Sequence, residues 1–102
     1  MIYYVDIDET ICFYEDERDY PKAKPIPENI EIINRLYDEG HTVVYWTARG
    51  TVTGLDWTKL TRNQLKQWGA KYTDVKLGKP NYDLFICDKA MNSQAFFEKE
   101  AS

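Results

Sequence analysis

The chain has 102 residues, 43% hydrophobic and 15% aromatic, with a formal net charge of −4. That length can bury one core and leaves no room for a second domain or a lid, so a single domain over residues 1–102 is expected. An acidic chain without a basic cluster argues against nucleic acid and anionic membranes as partners, and no apolar run is long enough to span a bilayer. Cys12 and Cys87 lie inside apolar runs and no secretory leader is recognisable. That predicts two buried, reduced thiols, no disulfide and a cytoplasmic protein.

The first element is an apolar strand in I-Y-Y-V-D-I-D-E-T-I, residues 2–11, which runs into two carboxylates one residue apart. Side chains two apart on a strand share a direction, so Asp6 and Asp8 are expected to stand together at the strand end. Like charges that close need a cation or a shared proton, an arrangement suited to phosphoryl transfer. The polar stretch from Tyr14 to Pro25 reads as a flap or hairpin. Pro27 opens a first helix with Ile30, Ile33, Leu36 and Tyr37 at helical spacing, and Gly40 stops it. Thr42 to Trp46, β-branched and aromatic, is the second strand, ending in Thr47-Ala48-Arg49-Gly50. Asp56 or Thr58 caps a second helix carrying Leu60, Leu65 and Trp68, closed by Gly69. Asp74 to Leu77 is a short third strand broken by Gly78-Lys79-Pro80. Tyr82 to Cys87 (Y-D-L-F-I-C) reads as a fourth strand ending at Asp88, and Ser93 to Glu98 as a closing helix with Phe96 and Phe97 inward.

Strands alternating with helices predict an α/β fold: one Rossmann-like, doubly wound parallel sheet with helices on both faces and no cap domain. Ligands of such sheets bind at the carboxyl ends of the strands. Asp6, Asp8, Thr47, Arg49, Lys79 and Asp88 all fall at that edge. Three carboxylates with a lysine, a hydroxyl and an arginine form a layout for holding a phosphate beside a divalent cation.

D-I-D-E-T, a hydrophobic strand followed by T-A-R-G, then G-K-P, then F-I-C-D-K-A, in this order, resemble the four-part signature of the haloacid dehalogenase superfamily of aspartate-nucleophile phosphatases. The short capless members associated with capsular-polysaccharide biosynthesis are most similar, and the similarity runs from Met1 to about Phe97. Glu9 stands where glycine is common in that pattern, and Cys87 where a second aspartate is often found. The resemblance implies a strand order of 3-2-1-4 and a Mg²⁺-dependent phosphomonoesterase acting on a small soluble phosphate, with a sugar or sugar-acid phosphate as the preferred class. It implies Asp6 as the nucleophile and Asp8 as the acid that protonates the leaving oxygen and then the base that activates water. Lys79 would stabilise charge, and Thr47, Ala48 and Arg49 would bind phosphate or substrate. Mg²⁺ would sit on Asp6, the Asp8 carbonyl and Asp88. A homo-oligomer is left open.

Two other readings stand beside this one. A phosphoacceptor receiver domain has similar length and an acidic pocket, but it needs an aspartate on a mid-chain strand, where Val44 to Thr47 offers none. A catalytically silent binding protein on the same fold is the other, since fold does not guarantee function.

Overall fold

The computed structural model of the protein describes residues 1–101. Three parallel strands, β1 (Ile2–Val5), β4 (Thr42–Trp46) and β5 (Asp74–Lys76), form the main sheet in the order β1-β4-β5. Val5 sits opposite Tyr45, and Tyr45 opposite Val75. Between β1 and α1 (Pro27–Asp38), a two-stranded antiparallel ribbon of β2 (Cys12–Phe13) and β3 (Lys24–Pro25) encloses a 3₁₀ turn at Tyr20–Lys22. This ribbon is the hairpin expected between Tyr14 and Pro25. The second helix, α2, spans Thr58–Gln67, and α3 spans Ser93–Ala101.

Local chemistry explains these bounds. Pro27 occupies the first turn of α1, where its missing N–H costs nothing, and Asp56 Oδ1 accepts the Thr58 N–H at the start of α2. The carboxyl end of α2 closes on Gly69 at φ 72°, with the Gly69 N–H donating to Lys66 O and the Ala70 N–H to Leu65 O. Only a residue at home in the left-handed region makes that paired reversal cheaply.

Alternation along the strands places Val5, Val43, Tyr45 and Val75 on one face of the sheet, where they join Ile30, Ile33 and Leu36 of α1, Leu65 of α2 and Phe97 of α3 in one core. All three helices therefore contribute to the same side. Ile2 and Tyr4, on the opposite face, are 69% and 53% exposed. The helices on both faces expected from the sequence are not what the described residues show, and the reason is topological. Both crossovers, β1 to β4 and β4 to β5, move the same way across the sheet, and right-handed crossovers in one direction land on one face.

A second layer would need the chain to return past β1, and that return is not made. Tyr82–Cys87 lies in neither strand nor helix, and all its residues are exposed. The sheet order therefore corresponds to 3-2-1, without the fourth strand. The run has the composition of a strand, but β5 and β1 are at opposite edges of the sheet, and only Leu77 to Asn81 separate β5 from the segment. Cys87 is exposed, in contrast to the buried thiol expected, while Cys12 is fully buried; both are free. No helix among the described residues is long and apolar enough to cross a membrane.

Candidate functional site

The strand β1 delivers its two carboxylates to different cations. Asp6 Oδ1 accepts the Ile7 N–H at 2.9 Å and lies 3.8 Å from Lys79 Nζ. Ile7, fully buried, anchors the turn that follows, its carbonyl accepting the N–H of Thr10 and of Ile11. Glu9 takes φ 62° in this turn, a left-handed conformation that costs a side chain about 1 kcal/mol. The turn rotates Asp8 away from Lys79 and toward Arg49. The two aspartates thus flank the strand end without sharing one cation.

Asp8 sits in a closed network. Arg49 forks onto it, Nε to Oδ2 at 3.1 Å and Nη2 to Oδ1 at 2.8 Å, while the Tyr14 hydroxyl donates to Oδ1 and the Cys12 thiol approaches the same oxygen at 3.5 Å. Burial alone would raise the Asp8 carboxyl, but the hydrogen bonds and charge of Arg49, with the Tyr14 hydroxyl, override it and hold the group below the ordinary carboxylate range. The same burial, next to a carboxylate, pushes the Cys12 thiol up to about 12, so it stays protonated. Asp8 is therefore an ionised base at neutral pH. The leaving-group acid expected at this position would need a proton that Arg49 opposes.

Asp6 shows the opposite balance. Burial raises its carboxyl above the ordinary value, with Lys79 and the Ile7 N–H offsetting only part of that. A desolvated carboxylate whose side chain remains 42% exposed has both reactivity and access. Lys79 beside it is held on its backbone by the β4 loop: its N–H donates to Thr47 O and its carbonyl accepts from Thr51 Oγ1. The ammonium lies over the rings of Trp46 and Tyr82, 5.7 and 5.4 Å from their centroids. Lys76 points to Tyr4 instead, with Nζ 3.4 Å from its hydroxyl. If phosphate chemistry occurs at Asp6, Lys79→Ala is expected to reduce kcat about 10²-fold or more, while Lys76→Ala stays within about twofold. Steady-state kinetics of the two variants decide it, and a larger loss from Lys76→Ala would contradict the assignment.

The loop after β4 differs from expectation in its polar groups. Arg49 is 2% exposed, and besides Asp8 its Nη1 donates to Thr61 Oγ1 and Gln64 Oε1, and its Nη2 reaches the Tyr14 hydroxyl. All five N–H donors of the guanidinium are engaged within the protein, which leaves none for a substrate. The phosphate- or substrate-binding role expected for Arg49 is corrected to an internal one. Thr47 is 1% exposed, and its hydroxyl accepts the Arg49 N–H at 3.2 Å. Ala48 is half-buried between them. Gly50 follows at φ 82°, and a Cβ there would stand 2.1 Å from Leu55 O, so the loop requires glycine.

The expected metal site is not assembled. Asp88 is exposed and meets the Cys87 sulfur at 3.8 Å, and among the described residues no three His, Cys, Asp or Glu side chains are grouped to hold a metal ion. The Asp8 carboxylate is committed to Arg49, and the Asp6 carboxylate meets Lys79 and the Ile7 N–H. As arranged, these residues do not fit Mg²⁺.

Tyr14, Tyr20, Thr61 and Gln64 complete the network without having been singled out from the sequence. A signal for two of them is present there: Thr61 and Gln64 are polar residues on the face of α2 that carries Leu65, where a core helix is expected to be apolar. Both are buried and both receive Arg49.

No family model matches this chain, and no curated protein does. Among solved structures, the crystal structure of a target protein from Vibrio cholerae superposes with a TM-score of 0.83 at 22% identity, covering 98% of this chain and 93% of that one. At that identity the likeness establishes a shared fold, so the chain is similar in architecture to that Vibrio cholerae protein: a small α/β domain built on a parallel sheet.

Proposed function

We propose that this protein is a phosphomonoesterase that passes the phosphoryl group of a small soluble ester through Asp6. The observation that carries the proposal is the contrast between two neighbouring carboxylates: Asp6 is accessible, raised by burial and 3.8 Å from Lys79, whereas Asp8 is held ionised by a buried arginine. Environments that push two carboxylates apart in this way assign them different tasks. In the first step an Asp6 oxygen attacks phosphorus and the ester oxygen leaves with the bonding pair. In the second, water attacks phosphorus, Asp8 takes its proton, and the Asp6–phosphorus bond breaks to return the carboxylate. Lys79 offsets the charge that gathers on the phosphoryl oxygens.

The finer fold reading belongs to the same proposal: a capless, Rossmann-like haloacid dehalogenase core in the order 3-2-1-4, with Tyr82–Cys87 as the element outside the described sheet. The preference for a sugar or sugar-acid phosphate enters the proposal from the sequence resemblance, which also implies Mg²⁺; the described residues do not assemble a site for that ion, and no step above is routed through it. A binding protein on the same fold is favoured by one observation, the unassembled Asp88.

The test follows from Asp8 being ionised at rest. Without a ready proton donor, the first step depends on how well the leaving group carries negative charge. Aryl phosphates with acidic phenols are expected to exceed simple alkyl phosphates in kcat/KM by about 10²-fold or more, the scale of lost acid catalysis. Equal values across the series would contradict the assignment of Asp8 as a base only, and no turnover of any ester would favour the binding protein.

A further inference from the structure

We infer that Arg49 is a positioning residue that seats the Tyr14–Ala23 hairpin arm and orients Asp8 as one unit, with Gln64 as the second anchor of the arm. The directional contacts between the arm and the rest of the protein converge on this one network. The Tyr14 hydroxyl bridges Asp8 and Arg49, and the Tyr20 ring stacks on the guanidinium with 4.8 Å between the charged carbon and the ring centroid. The Gln64 amide nitrogen donates to Tyr20 O at 2.6 Å while its oxygen accepts from Arg49 Nη1. Trp57, just before α2, meets the Tyr20 ring edge-on, with 5.2 Å between the ring centroids.

At its base the arm is closed by the β2–β3 pairing and by Ala23, which packs against the core; beyond that base, the other polar contacts of the arm are weak. Lys24–Glu15, Lys22–Asp19 and Arg18–Glu9 are ion pairs between side chains at least half exposed, at 2.7, 3.9 and 3.7 Å. Such pairs contribute from nothing to about 1 kcal/mol each and are screened by salt. The seating of the arm above its base therefore depends on the buried contacts around Arg49. Arg18, carried by the arm, pairs with Glu9 in the turn that follows Asp8, so seating the arm also keeps a cation near the carboxyl end of β1. The catalytic consequence, an arm that delivers positive charge to an incoming phosphate, rests on the phosphomonoesterase reading; the mechanical coupling does not.

Hydrogen exchange measured by mass spectrometry on the whole protein tests the coupling directly. Gln64→Leu removes the Tyr20 anchor and leaves the Arg49–Asp8 pair, and Arg49→Lys keeps a charge for Asp8 while losing the fork and the stack on Tyr20. In both, the hydrogen-bonded amides of the arm, Lys22 and Ala23, are expected to exchange on the order of tenfold faster, the ratio for losing one buried side-chain hydrogen bond, while those of α1 and β4 keep their protection. A merely structural role would speed α1 and β4 in parallel, and that outcome, or unchanged exchange in the arm of folded Gln64→Leu, overturns the inference. In the kinetic arm, Gln64→Leu is expected to raise KM for an aryl phosphate several-fold with kcat within about twofold. A fall in kcat at unchanged KM would instead contradict the delivery role of the arm. A protein with no turnover removes the phosphatase reading, and the exchange measurement still decides the coupling.

Discussion

Replacing Asp6 with asparagine is expected to abolish turnover and leave the protein as stable as before, or more so. The activity loss is expected to be at least about 10⁴-fold, the scale seen when a covalent nucleophile is removed. The stability expectation comes from the sign of the Asp6 shift. Its folded carboxyl is raised by burial, so the folded protein binds a proton more tightly than the unfolded chain does, and the ionised group opposes the fold at neutral pH. Stability should rise as pH falls through the raised value, and an amide removes the penalty at every pH. The carbonyl oxygen of the new amide can still accept the Ile7 N–H. The attraction to Lys79, 3.8 Å away, is lost with the charge, but it offsets only part of the burial penalty that the amide removes. Thermal unfolding with a phosphate-release assay reads both effects. A folded Asp6→Asn protein retaining a sizeable share of the wild-type rate would remove the nucleophile assignment.

Asp8→Asn should behave in the opposite way, losing about 3–5 kcal/mol because it leaves the Arg49 guanidinium buried without its counter-charge. The Arg49 side chain is fully buried and that of Asp8 is 9% exposed, so solvent does little to compensate. Here the folded carboxyl is depressed below its ordinary value. Its contribution is present above the unfolded pKa and is lost as pH falls through the folded one. The wild-type melting temperature should therefore drop in acid below the usual carboxylate range, and the Asp8→Asn protein should lack that component. Replacing both partners by apolar residues, Asp8→Leu with Arg49→Met, is expected to cost less than the sum of the single changes. Additive losses would mean that the pair is not coupled.

The contrast between these two variants marks what the sequence can and cannot disclose. The strand–helix alternation is legible in it, with β4 at Thr42–Trp46 and α1 beginning at Pro27, because periodicity and proline placement are local signals. That Lys79 rather than Lys76 comes near Asp6 agrees with the break expected at Gly78. Tyr82–Cys87 misleads because strand composition says nothing about whether an edge is within reach, and pairing is a long-range matter. Arg49 reads as a substrate ligand because its partners, Asp8, Thr61 and Gln64, are distant in sequence and meet it only in the folded chain. Nothing in T-A-R-G reveals that all of its donors are spent inside the protein. The adjacency of Asp6 and Asp8 misleads in a similar way, since the turn at Ile7 and Glu9 ends the two-residue repeat that would have kept both carboxylates together.

The most direct test of the account is to trap the intermediate. Turnover of an aryl phosphate in the presence of hydroxylamine, which converts an acyl phosphate into a hydroxamate, should inactivate the protein progressively. Peptide mass spectrometry should then place the modification on Asp6 and leave Asp8 and Asp88 unchanged. Turnover that proceeds without any modification of Asp6, or a hydroxamate at another carboxylate, would contradict it.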